Sequence, residues 1–231
     1  MKKKNYYIVI VLVAIIILAG GYYFLSKNKS SEVTTVTEEG YTSVNTENLE
    51  KNIPPAQTLA LSDSEREDLL YMREEEKLAR DVYIKLYEKW NVPIFNNISN
   101  SEQTHTDSIN FLIARYGLND PFVNEIGKFT NMELQALYDS LMEKGNKSLE
   151  DALVVGATVE EVDIIDLKEA ISNTDKADIK TVYENLMKGS RNHLRSFVSN
   201  MKSRGYSYTP QYLSQEEFNE IVNSQIERGN N

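Results

Sequence analysis

The chain has 231 residues and a net charge of −10, from 35 acidic and 25 basic residues, and no cysteine. That balance leaves no basic stripe for a phosphate backbone, so nucleic acid is not an expected partner. The lack of thiols excludes disulfides, thiolate metal sites and a lipidated cysteine.

Lys2, Lys3 and Lys4 precede an apolar run from Tyr6 to Leu25. That run is long enough to cross a bilayer, and the lysines favour a cytoplasmic N-terminus. Residues 1–28 therefore read as a single-pass membrane anchor that leaves the rest of the chain outside the cytoplasm. A cleaved secretory signal is the alternative, and would give a secreted protein. Lys29 to Thr58 is rich in Ser, Thr, Glu and Asn and ends at Pro54-Pro55. It reads as a flexible linker. About 170 residues remain, enough to bury one core.

From there helical periodicity dominates. Residues 59–205 form the expected domain. Its first helix opens at Ser62 or Asp63, with Glu65 in capping-box position, and stops at Asn91-Val92-Pro93. Its stripe is Leu69, Met72, Ala79, Tyr83, Leu86 and Trp90, with Glu76 filling a gap of seven. Glu74 and Glu75 lie off that stripe and read as solvated. The second helix is expected from Ser99 or Asn100 to Tyr116, with Gly117 as its cap. A connection of about 30 residues follows, carrying a short helix from Asn131 to Lys144. The third helix runs from Ser148 to Ser172 and the fourth from Asp175 or Asp178 to Ser203. The tail, 206–231, carries a short amphipathic helix from Ser214 to about Ile226. Four long helices with a long second connection predict an all-α fold, a four-helix bundle with a crossover between helices 2 and 3.

Each long helix carries a polar residue in the middle of its apolar face. These are Glu76, the pair Glu102 and His105, Glu160, and the pair Ser190 and His193; Asp163 lies one turn from Glu160. A buried carboxylate is costly unless paired or metal-bound. Glu102-x-x-His105 places a carboxylate and an imidazole on one helical face, where both can hold one ion. Both histidines of the chain fall on inward stripes, at matching depth. Glutamates from two helices and Glu-x-x-His from two others is the ligand set of two-metal carboxylate bundles. Glu76, Glu102, His105, Glu160, Asp163 and His193 are thus the candidate metal ligands. Hard oxygen donors with imidazole suit iron or manganese, two ions or one. Each residue also has a plainer reading. Glu76 can pair with Arg73 or Arg80, Glu102 with His105, and His193 can be a satisfied core histidine. Glu161 points partly outward, and Tyr83, Tyr116 and Tyr183 read as core aromatics.

Four segments carry a family resemblance: Glu74 to Tyr83, Ser101 to His105, Glu160 to Ile164 and Gly189 to Leu194. Together they resemble the ferritin-like family catalogued as domain of unknown function 2202, over about Leu61 to Phe218. Glu76-x-x-Ala79-Arg80-x-x-Tyr83 is also similar to the first helix of rubrerythrins. The resemblance implies that Glu76, Glu102 and His105 are metal ligands and that Glu160 with Asp163 matches paired third-helix carboxylates. It implies a di-iron or di-manganese site with oxidase, ferroxidase or peroxide-removing activity. One position departs from the pattern: Ser190 stands where the fourth helix should supply glutamate, so one metal position is weaker. The competing expectation is a non-catalytic binding or structural module with a vestigial or mononuclear site. A homodimer is compatible with the pattern, but the sequence does not select it.

Overall fold

The computed structural model describes residues 32–56 and 60–229. The expected membrane anchor lies outside the described residues. Among those residues, no helix is long and apolar enough to cross a membrane.

The described chain is mostly helical. Two short strands come first, β1 (Thr34–Val36) and β2 (Thr42–Val44), then α1 (Thr46–Asn52). The long helices are α2 (Asp63–Trp90), α3 (Pro93–Arg115), α5 (Leu149–Ser172) and α6 (Ala177–Ser203). The shorter α4 (Met132–Gly145) lies in the connection between α3 and α5, and α7 (Gln215–Asn223) lies in the tail.

Local chemistry sets the helix ends. Ser62 and Glu65 form a reciprocal capping box on α2, which satisfies two backbone donors that the first turn leaves free. Asn91 ends α2 in the left-handed conformation, φ 50°, which asparagine tolerates better than most residues. The second long helix starts at Pro93 rather than at Ser99. Pro93 stops α2, yet its fixed φ and missing N–H suit the first position of α3. The same residue therefore closes one helix and opens the next.

The long helices pack as α2 on α3 and α5 on α6, joined by α2–α5 and α3–α6 contacts. Their direction follows from two apolar clusters. One holds Val82, Leu86, Phe95, Ile98, Leu153 and Phe197. The other holds Leu69, Met72, Ile109, Leu112, Leu167 and Leu186. Helices α2 and α6 run from the second cluster to the first, and α3 and α5 run the opposite way. Consecutive helices α3 and α5 are therefore parallel, so the chain must return along the bundle between them. The connection carrying α4 makes that return. Full burial of one such leucine or phenylalanine stabilises the fold by about 1.5–3 kcal/mol, so both ends of the bundle are well anchored. The buried residues Glu76, Glu102, His105, Glu160, Asp163 and His193 lie between the two clusters along their helices.

Residues 33–53, expected as a flexible linker, are structured. Strands β1 and β2 pair antiparallel, Thr34 with Val44 and Val36 with Thr42. Val33, Val44, Leu49 and Ile53 are buried, and β2 lies against α3 and α6. The few apolar residues here are spaced to face inward, and the Ser/Thr positions between them bond to the helices. Val44 N–H donates to Thr104 Oγ1 at 2.8 Å, for example. A polar composition therefore does not mean solvation in this segment.

A candidate metal centre between two apolar clusters

The central layer collects all six residues expected as ligands, and all are buried: Glu76, Glu102, His105, Glu160, Asp163 and His193. Two groups of three bring their ligand atoms within 4.8 Å of one another. These are Glu76, Glu102 and His105, and Glu102, Glu160 and His193. Glu102 belongs to both and links the two groups. His105 Nδ1 lies 2.8 Å from Glu102 Oε2 and 3.4 Å from Glu76 Oε2. His193 Nδ1 lies 2.8 Å from Glu102 Oε1 and 3.6 Å from Glu160 Oε2. The two rings stack with centroids 5.5 Å apart.

These spacings fit the corners of a coordination shell. Ligands about 2.1 Å from an ion stand about 3.0 Å apart on an octahedron and about 3.4 Å apart on a tetrahedron. The hydrogen-bond count agrees. Both Glu76 oxygens, Glu102 Oε1, His105 Nδ1, His193 Nδ1 and Asp163 Oδ1 are buried with no hydrogen-bond partner outside this layer. Buried polar atoms are ordinarily satisfied. Such atoms converging from four helices form a cluster that could hold a metal ion. The donor set fits iron or manganese.

Asp163 belongs to neither group of three. Its Oδ2 makes a short hydrogen bond with the Ser190 hydroxyl, whose single proton is shared with Leu186 O, 3.1 Å away. Ser190 thus replaces a carboxylate on α6 with a donor that holds a carboxylate from α5. Tyr83, expected as a core aromatic, is fully buried and also polar in its role: its hydroxyl donates to Glu160 Oε1 at 2.6 Å.

The environment shifts the protons. Burial raises the Glu76 carboxyl to about 7; His105 opposes the shift and Glu102 adds to it. Burial would also raise Glu102, but His105 and His193 outweigh it and hold it below the usual range. Burial opposes charge on His105, yet Glu102 and Glu76 outweigh it and pull its pKa well up.

Three features escape the helical pattern. The first is Thr42 of β2. Its N–H donates to His193 Nε2 at 3.0 Å, and its C=O accepts from His105 Nε2 at 3.1 Å. The Nε2 of His105 therefore carries a proton, so its Nδ1, facing Glu102, is the nitrogen at which a metal could replace a proton. The Nε2 of His193 carries none, so a neutral ring has its proton on Nδ1, facing Glu102. Burial opposes charge on His193 while Glu102 and Glu160 pull it up to about 9. The hydrogen bond decides between these tendencies, because a protonated Nε2 would meet the Thr42 N–H head on. The second is Gly189, where a Cβ would stand 2.6 Å from His105 Cε1 and 2.8 Å from Nε2. Only glycine admits the ring at this distance.

The third is the face of α2 expected to be solvated. Glu74 and Glu75 are each 3 % exposed, because α4 and the segment before it cover them. Glu74 accepts from Thr130 N–H at 2.5 Å and Asn131 N–H at 3.0 Å. Glu161, expected to point partly outward, is buried as well. Its Oε2 accepts from the N–H groups of Gln211, Tyr212 and Leu213 at 2.6–3.0 Å. Helical spacing could not find these partners, since they come from irregular chain.

The family model described as "Uncharacterized protein domain (DUF2202)" matches residues 65–225. The chain belongs to this family. The DUF2202 match takes in all six candidate ligands and begins after Thr42. Among curated proteins, "Uncharacterized protein MJ0754" of Methanocaldococcus jannaschii is 56% identical over 172 residues, 74% of this chain and 93% of the relative. A solved structure, "Crystal structure of hypothetical protein MJ0754 from Methanococcus jannaschii DSM 2661", superposes with TM-score 0.73 at 53% identity. It covers 75% of this chain and 100% of that one. These similarities support the DUF2202 fold.

Proposed function

We propose that this DUF2202 protein is a ferritin-like metal protein with a carboxylate centre for iron or manganese, acting as an oxidase, ferroxidase or peroxide-removing enzyme. The observation that carries the reading is the convergence, from four helices, of buried carboxylate and imidazole atoms with no partner outside the layer, with Glu102 shared between two groups. Parallel α3 and α5, joined by a crossover, support the ferritin-like placement. The apolar run Tyr6 to Leu25 would anchor the chain with its domain outside the cytoplasm, or be cleaved to release it.

Glu76, Glu102 and His105 would hold the first ion; Glu102, Glu160 and His193 would hold the second. Iron or manganese, when bound, would supply electron transfer toward dioxygen or peroxide. The protein's own part is to exclude water and direct protons. The apolar clusters close both ends of the layer. Tyr83 orients Glu160 by its hydrogen bond and carries a phenolic proton at that oxygen. Ser190 holds Asp163 beside the layer.

A mononuclear form of the same reading has its own support. Ser190 and the Thr42 N–H both weaken the position that uses His193, whereas His105 already has the tautomer a ligand needs. The first position is accordingly the stronger of the two.

The deciding experiment is metal analysis of the anaerobically purified chain, followed by Fe(II) addition and optical detection of its oxidation. One or two equivalents of metal are expected, near zero in Glu102→Ala. If the wild-type chain binds neither Fe(II) nor Mn(II), and Glu102→Ala behaves like it, the metal reading is wrong.

A further inference from the structure

Glu75 is a buried acid that the candidate centre does not use. Neither of its carboxyl oxygens meets a donor group; the carboxyl of Asp166 lies within hydrogen-bonding reach and that of Asp163 presses on it with like charge. Glu74 beside it is fully partnered by the backbone before α4, so the local fold could have supplied donors and does not. Crowded buried carboxylates must share a proton or hold a cation. A leucine there would fill the space without that demand.

The surroundings of Glu75 lead in two directions. Outward, Asp166 opens onto a surface cleft of about 300 Å³ that Asp68, Glu133 and Glu169 also line. Tyr71 steadies Asp166 through a hydroxyl bond of 3.3 Å. Inward, Glu75 and Asp163 both line a void of about 10 Å³ with otherwise mostly aliphatic walls, close to the room one water occupies. Asp163 keeps one oxygen unpartnered and is close enough to feel the charges of Glu76, Glu102 and Glu160. Carboxylates thus run from the surface cleft to the central layer.

We propose that Glu75, with Asp166 outside it and Asp163 inside it, is a transit site that passes divalent cations from the acidic cleft to the central layer. The proposal rests on the metal-centre reading. The acidic cleft raises the local cation concentration. A site of carboxylates alone, with few ligands, binds well enough to admit an ion and weakly enough to release it.

The test is stopped-flow uptake of Co(II) by the full metal-free chain, followed by its visible absorption, with equilibrium titration in parallel. Glu75→Gln and Asp166→Asn are expected to reach the wild-type cobalt content and Kd, but about tenfold more slowly or slower still. Glu75→Gln is also expected to melt no lower than wild type, since its amide can donate to Asp166. If Glu75→Gln does not fold, Asp166→Asn at the half-buried mouth decides alone. Wild-type uptake rates in both variants would overturn the proposal and leave Glu75 with a shared proton. A reduced cobalt content at equilibrium would overturn it too, making Glu75 a ligand of the centre. If the wild-type chain takes up no Co(II), the metal-centre reading fails and the transit site with it, a result distinct from the other two.

Discussion

The N–H and C=O of Thr42 meet His193 and His105 in opposite senses, so two histidines with similar helical settings differ in tautomer. A metal-bound imidazole nitrogen needs its lone pair free, and the hydrogen bond on the other nitrogen decides whether it is. Thr42→Pro deletes the N–H and keeps the C=O. His193 Nε2 could then carry the proton, freeing Nδ1. We expect the second equivalent of Mn(II) to bind about 10- to 100-fold more tightly in this variant, as read by calorimetric titration. Unchanged affinities for both equivalents would show that Thr42 does not set the difference.

At the scale of elements, irregular segments complete what the helices begin. The hairpin reaches the histidines, the segment before α4 covers Glu74 and Glu75, and the turn before α7 caps Glu161. The last contact fixes the tail to α5: one carboxylate oxygen takes three consecutive N–H groups. Arg191 and Arg195 of α6 grip Glu227 further on, at 2.5 and 2.9 Å. Glu161→Ala leaves three backbone donors without their acceptor, at a cost of about 1–3 kcal/mol. Faster amide exchange is expected across 206–229, with α3 unchanged. Equal exchange in the tail would show that the arginine contacts hold it alone.

For the whole molecule, the central layer couples stability to pH. In the metal-free chain Glu76 is raised to about 7 by burial, against about 4.3 when unfolded. The folded state therefore binds a proton that the unfolded state releases. Its stabilising effect is full below about pH 4.3 and is lost as pH rises toward 7. His105, pulled up by Glu102 and Glu76 against its burial, acts in the same direction. Its contribution is full below about pH 6.5 and is lost as pH rises through the folded pKa. Glu102 is held low despite burial by His105 and His193. Its contribution is present above about pH 4.3 and lost as pH falls below that. Metal-free protein should thus melt at a lower temperature at about pH 8.5 than at about pH 5.5. Bound metal replaces those protons, so added Mn(II) should raise the melting temperature most at the higher pH. Thermal melts with chelator and with Mn(II) check both. A metal-free melting temperature that climbs across this range would contradict the burial argument.

The sequence by itself determined the helices, their inward faces and the six polar residues of the central layer. Those rest on short-range physics: apolar spacing of three and four, the Ser62–Glu65 cap, and the cost of a carboxylate on a buried stripe. The same reasoning misplaced the start of α3, since Pro93 can end one helix or begin another. It also took residues 33–53 for a linker and Glu74, Glu75 and Glu161 for surface, because helical spacing says nothing of what irregular chain will cover. Only the tertiary structure decided that Thr42 lies between the histidines, that Ser190 holds Asp163, and that Glu75 is buried without a donor. Each of these depends on contacts between residues far apart in the chain, and no local periodicity records them.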